Sequence, residues 1–454
     1  MPRILACLLT FLLATGTVAQ AADWPQWMGP NRDSVWPEEG VLKTFPKDGL
    51  KSRIVWRTPI AAGYAGPAVV GGFVFVTDRV LSEGVVNPTD PFDTTKKIAS
   101  SERVLCLDAK SGKRIWKHEY DCPYQISYPG GPRCTPTVSG GKVYTLGAMG
   151  DLFCFDAATG KVLWEKNLPK AYKTPVPMWG FCGHPLVYKN LLICLVGGEG
   201  SVAVAFDKDT GDEKWEALTA KEPGYSPPTL ITSGGKDQLV IWHSQAINGL
   251  DPVTGKVFWS VPLEPMFKMS IVAPRQAGDR LFAAGIGGVG VVLKLEGEKV
   301  TPIWQEASAK GKEMVPKARG LYPVNATPFI DKGVIYGVDQ PGMFRAVELE
   351  TGKRLWFTHK PVIGKEEEED FKGSRSGTAF VVKNGDRYFI FAETGDLIIA
   401  KLSAEKYDEV SRAKVLDPTA STSGRKVVWS HPAFAGKCVF VRNDAEIVCV
   451  SLAE

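Results

Sequence analysis

The chain has 454 residues, a formal net charge of +4, and 47 Gly, 32 Pro and 13 Trp. So balanced a charge leaves no electrostatic footprint for nucleic acid or an anionic membrane surface. The abundance of turn formers and Trp, with few long helical periods, argues against a helical protein and for a turn-rich all-β chain.

Residues 1–22 read as a signal peptide: Arg3 is the basic start, Ile4 to Ala14 the apolar stretch and Ala19-Gln20-Ala21 the small-residue cleavage pattern. That stretch is too short to span a bilayer, and Cys7 stands near its start with most of the apolar run after it, the wrong end for a lipid-attachment box. The expectation is an exported chain, periplasmic or secreted, of net charge +3 once Arg3 is gone, with no transmembrane segment. Residues 23–52, with Trp24, Trp27 and Trp36, read as an ordered wrapping segment. Residues 53–454 read as one β-propeller.

Its unit is clearest at Leu152–Lys166, LFCFDAATGKVLWEK. An alternating run is followed by Asp156-Ala-Ala-Thr-Gly160 and a short strand carrying Trp164. The Asp can hydrogen-bond its own backbone and the Gly can take positive φ, which makes a hairpin. Copies begin at Asp108, Asp207, Asp251 and Glu348, and Glu296 begins one that has lost its Thr-Gly; each Trp falls eight positions after the acid. Upstream of every hairpin lies another pair of strand-like runs, starting near a Pro in most units and passing a Gly turn. The sum is eight four-stranded antiparallel blades, the period of a β-propeller. Ile54 to Thr58 looks like a second strand lacking its first, and Ile447 to Leu452 like a first lacking its second. The two ends therefore share a blade and close the ring, removing exposed sheet edges. Trp56, Trp116, Trp164, Trp215, Trp259, Trp304 and Trp356 are read as structural, lying between blades and bonding through the indole N–H. Blade seven has Val410 where Trp would fall.

Leu81 to Glu102 is a long polar insertion, and Lys365 to Asp370 (KEEEED) an acidic run read as a solvated loop. Gly285 to Gly290 (GIGGVG) runs from strand to strand and is read as a hairpin turn, not a phosphate loop. Export permits disulfides. Cys122 and Cys134 flank a Pro-Gly loop and are the disulfide candidates, whereas Cys106, Cys154 and Cys449 fill a small-residue slot in equivalent strands. No Cys-x-x-Cys or His-rich pattern occurs, so no metal site is expected.

The repeat Asp-x-x-Thr-Gly-Lys-x-x-Trp resembles the tryptophan-docking motif of the pyrroloquinoline-quinone (PQQ)-like propeller superfamily, over nearly all of the mature chain. Asp23-Trp-Pro-Gln-Trp-Met-Gly-Pro-Asn-Arg32 resembles the start of exported bacterial members. The resemblance implies one of two kinds of protein: a quinoprotein alcohol or sugar dehydrogenase, or a non-catalytic subunit like that of outer-membrane barrel assembly. The adjacent cysteines and haem motif of many dehydrogenases are absent. So is the well-placed lipid cysteine of the assembly subunit.

In a propeller, loops entering the innermost strands form a funnel, the default binding concavity. Here those entries carry Tyr64, Tyr128, Arg133, Trp179, His184, Tyr225, Lys268, Tyr322, Asn325, Arg375 and His431. Tyr64, Arg133, Trp179, His184, Tyr225, Asn325, Arg375 and His431 are the candidate ligand-binding residues. His184 and His431 each precede a Pro at equivalent entries and are candidates for acid or base work. The expected function is a non-catalytic binding or scaffold propeller for protein or glycan partners, using the funnel or a blade edge, with no cofactor. The alternative is a PQQ- and calcium-dependent dehydrogenase oxidising an alcohol or sugar.

Overall fold

A computed structural model describes residues 22–306, 320–369, 371, 373–422 and 424–454. The expected signal peptide therefore lies outside the described residues, save for Ala22. Eight four-stranded antiparallel sheets form an eight-bladed propeller. Blade 1 comprises Ala68–Val70, Phe73–Leu81, Ser100–Asp108 and Arg114–Asp121, from the axis outward. Blades 2 to 7 span 137–167, 186–217, 229–262, 275–306, 329–358 and 379–414. Blade 8 runs Ala433–Ala435, Cys438–Arg442, Glu446–Ser451, and takes its outer strand, Ile54–Pro59, from the other end of the chain. Trp56 there faces Cys449, and Pro59 faces Glu446. The ring is closed as the repeats required. GIGGVG is a hairpin turn, with Gly285 opposite Val289.

The conserved spacing now has a physical cause. In every outer strand the register slips beside the Trp position. This β-bulge turns the Trp back over the sheet and leaves the residue before it, such as Ile115, Leu163 or Ile303, exposed. Opposite the indole stands a small residue in five blades: Cys106, Cys154, Ala205, Gly249 or Ala346. Cys449 takes that place in the closing blade. The small-residue slot of the cysteines is thus room for a ring. Six indoles donate to a backbone carbonyl of the next blade at 2.8–3.3 Å, from Trp56 to Ala109 around to Trp356 to Ser403. The Gly of each Thr-Gly turn lies under the preceding blade's ring: a Cβ on Gly160 would sit 2.5 Å from Trp116 Cδ2.

Trp259 differs. The next blade has lost its Thr-Gly, and Trp259 Nε1 donates instead to Gln238 Oε1 (3.0 Å), whose Nε2 donates to Gly297 O (2.6 Å). One buried amide thus relays the contact. Blade 7 corrects the sequence reading by one residue. Val410 is the bulge residue, and Ser411 takes the Trp register opposite Ile399. Among the described residues no outer-strand indole fills that seam. The N-terminal segment does: Phe45 N donates to Ser411 Oγ (3.0 Å) and Leu42 N to Leu452 O (2.8 Å), the carbonyl equivalent to Ala109 O.

That segment does more than wrap. Trp24 pairs with Val69 in blade 1, and Pro25 O accepts from Val138 N in blade 2. Arg32 donates to carbonyls of His184, Pro185 and Pro228 before blades 3 and 4. Arg275 in blade 5 donates to Arg32 O and Asp33 O (2.9 and 2.8 Å). Trp36 N donates to Lys383 O in blade 7 (2.8 Å). Residues 24–36 therefore cross the propeller axis and plug the central channel.

Two further corrections concern loops and thiols. Ala420–Thr422 and Arg425–Val427 form a separate two-stranded hairpin between blades 7 and 8, which the repeat pattern did not contain. Cys122 and Cys134 are not bonded to one another. They lie in different apolar clusters, the first against Ile98 and Tyr124, the second against Phe181 and Leu146. The acidic run is also not merely solvated: Glu366 accepts from Thr358 Oγ1 (2.8 Å), and Glu369 pairs with Arg354 (2.6 Å).

Candidate functional site

On the face away from the plug, the blade entries surround a cavity of about 630 Å³. All eight candidate side chains line it. They come from seven different blade entries, so the closed ring, not local sequence, brings them together. Tyr128 lines it as well. Lys268 does not: it pairs with Glu222 at 2.9 Å. Tyr322 does not either, being fully buried against Phe282 and Leu321 behind the wall. Sequence reasoning missed Trp27, Phe92, Met178, Phe267 and Trp429. Trp429 stands two residues ahead of His431, and a wider window at each entry would have included it. Trp27 had no such signal, because the plug belongs to no repeat.

Trp27 makes the floor. Its ring stacks on His184 (centroids 4.8 Å, planes 11° apart) and meets His431 edge-on at 5.5 Å. His184 Nδ1 accepts the Thr135 N–H (2.9 Å), which places its proton on Nε2. His431 packs on Phe380 at 4.0 Å. Burial drives both imidazoles toward the neutral form, His431 down to about 3, and His184 is also depressed by His431 and Arg32. Their shared His-Pro geometry is a packing and turn device at the base of the funnel.

The walls are aromatic. Tyr64 lies 6.4 Å from Trp429, Tyr128 lies 6.0 Å from Trp429, and Tyr225 meets Trp179 edge-on at 5.7 Å. The Arg133 guanidinium sits over the Tyr64 ring at 5.2 Å and donates to the Ser127 and Tyr128 carbonyls (3.0 and 2.6 Å). Burial raises the Tyr64 phenol to about 12, against a smaller opposing pull from Arg133. Asn325 Nδ2 donates to Thr378 Oγ1 (3.2 Å), which sets its amide at the wall.

Among the described residues no Asp or Glu lines the cavity. The carboxylate behind the wall, Glu393, is buried and committed: it pairs with Arg425 (2.7 Å), accepts the Thr378 N–H (2.9 Å) and accepts the Trp429 indole (3.3 Å). Among the described residues no three His, Cys, Asp or Glu side chains converge as metal ligands. Calcium is held by carboxylate and carbonyl oxygens. This lining has guanidinium groups where such a centre needs acids, so the residues present do not fit a calcium-assisted quinone site. The lining suits recognition of an apolar, anionic group.

Fold and site together define a PQQ-like repeat β-propeller. A family model described as outer membrane protein assembly factor BamB matches residues 100–356 and 243–454, and the chain belongs to that family. The BamB of Moranella endobia is 26% identical over 275 residues, 58% of this chain and 63% of that one. The quinone-dependent alcohol dehydrogenase subunit of Gluconobacter oxydans is 27% identical over 293 residues, 57% of this chain but 36% of its own length. The matches thus span less than two thirds of these curated relatives. In fold, the chain resembles BamB from Moraxella catarrhalis (TM-score 0.53, 14% identity, covering 87% of this chain and 98% of that one). It also resembles the quinohemoprotein alcohol dehydrogenase of Comamonas testosteroni (TM-score 0.58, 15% identity, 95% and 80%). Among the described residues no helix is long and apolar enough to cross a membrane.

Proposed function

We propose that this chain is an exported, non-catalytic propeller that holds a protein or glycan partner in its blind aromatic funnel. The observation that carries this reading is the makeup of the lining. Seven blade entries supply aromatic rings, amides and guanidinium groups, and among the described residues none supplies a carboxylate. Two neutral, packed imidazoles at the floor offer no general base poised near neutrality. Relatives named for outer membrane protein assembly align over more of their own length than those named for alcohol oxidation, which favours the same side.

The discriminating experiment is a titration with PQQ and calcium. Dye-linked oxidation should stay at background across simple alcohols and aldoses, and the quinone should give no thermal shift. Quinone-dependent turnover would replace this reading with the dehydrogenase one. In parallel, an array of peptides and oligosaccharides should yield ligands that quench the fluorescence of Trp27, Trp179 and Trp429.

A further inference from the structure

Three large apolar side chains stand out in solvent around the mouth: Phe92 (55% exposed), Met178 (56%) and Phe267 (64%). They come from three separate excursions, the insertion in blade 1 and the connections into blades 3 and 5, yet all three border the same cavity. Unlike the exposed bulge residues of the outer strands, none of them follows from the repeat. Phe267 is the most telling. Its backbone lies at φ 56°, ψ 19°, a region that bulky side chains rarely adopt and that is kept where the surroundings demand it. Lys268, Tyr128 and Ser376 around the same mouth also have positive φ. Strained backbone is thus used to hold a large ring out in water, and among the described residues no aromatic partner receives it.

Below this crown the cavity carries Arg133 and Arg375 and, among the described residues, no acid. Among the described residues Arg133 has no carboxylate partner; its hydrogens go to carbonyls and its face to Tyr64. Neutral carbonyls hold this guanidinium in place without cancelling its charge, so it still attracts a carboxylate. Trp27 closes the base, so a chain cannot thread through the axis; only a protruding tip can enter.

Resting on the binding role proposed above, we infer that the funnel receives a partner protein's loop whose tip presents an Asp or Glu between large apolar residues. The acid enters toward Arg133, and the flanking side chains pack on Phe92, Met178 and Phe267. Charge complementarity selects this occupant over a neutral glycan, and the exposed crown selects a polypeptide over a small free acid.

The test uses two labelled octapeptides, acetylated and amidated to remove terminal charge. One reads Gly-Ser-Leu-Phe-Asp-Leu-Ser-Gly and the other has Asn for Asp. Anisotropy should show the acidic peptide binding roughly tenfold tighter than the amide form. Raising salt from about 50 to 300 mM should weaken the acidic peptide alone. Arg133→Gln should abolish the difference between the two. Because Arg133 also holds its own loop, Phe267→Ser serves as the second variant; it should weaken both peptides several-fold with an unchanged melting temperature. Equal affinities for the two peptides, or no binding of either, would overturn the inference. In that event maltohexaose binding lost in Trp429→Ala leaves the broader binding role standing, whereas silence from every probe removes both.

Discussion

Gly140 and Gly160 sit at two of the three turns of blade 2, and comparing them isolates the contact that joins blades. Both have positive φ, 56° and 72°. Alanine at either costs about 1–2 kcal/mol for a left-handed L-residue. At Gly140 nothing lies within 4 Å of the added Cβ, so the cost should stop there. At Gly160 the Cβ would meet Trp116 Cδ2 at 2.5 Å. The ring must shift, adding about 1–3 kcal/mol of overpacking. Its 2.9 Å bond to Ala157 O is then weakened, worth about 1 kcal/mol. Gly160→Ala should therefore lose about 3–6 kcal/mol, against 1–2 for Gly140→Ala. With an unfolding entropy near 2.1 cal/mol/K per residue over about 430 residues, each kcal/mol lowers Tm by about 1 °C. Calorimetry should place Gly160→Ala about 2–4 °C below Gly140→Ala. Equal melting temperatures would mean that the indoles do not hold neighbouring blades together.

The relay through Gln238 predicts that Gln238→Met, which keeps the volume, loses about 1–3 kcal/mol by stranding the Trp259 indole; a double-mutant cycle with Trp259→Phe should show coupling, and additivity would refute the relay. Arg32→Met removes the plug's donor to the Pro228 carbonyl and leaves the Pro185 carbonyl with Thr137 Oγ1 alone, so limited proteolysis should cut residues 24–36 faster while the blades stay resistant; unchanged cleavage would deny that Arg32 pins the plug. His431 is held neutral, titrating at about 3 instead of 6.5. As pH falls below 6.5, the unfolded chain therefore gains a proton that the folded ring refuses, and stability drops by up to about 1.4 kcal/mol per pH unit. Urea melts from pH 7 to 4.5 should give a shallower pH slope for His431→Phe than for wild type, and matching slopes would contradict the packed, neutral imidazole.

The ring, its closure and most of the funnel were legible because they repeat. An acid-to-Trp spacing seen six times fixes hairpins, and a hairpin that cannot hide its own apolar face fixes stacking. Once blades are counted, the entry residues must converge, which is why Arg133 and Asn325, almost 200 residues apart, line one cavity. What was illegible is what occurs once. Trp27 belongs to no period, so nothing marked it as the cavity floor. The outer hairpin of blade 7 is longer, with 12 positions from Ile399 to Ser411 against 10 from Cys106 to Trp116, so the repeat spacing did not carry over and Val410 looked like the missing indole when Ser411 holds that place. Cys122 and Cys134 are near in sequence, yet the intervening loop delivers them to different cores.

The closing seam has a consequence for biogenesis. Arg57 and its partner Glu446 are 389 residues apart, so the strand that leaves the ribosome first waits for one of the last. Until then the nascent protein is an open arc with two bare strand margins, each a template for the wrong neighbour. Translocation as an unfolded thread would spare the cell that exposure, and any premature stop before residue 446 would leave it permanent.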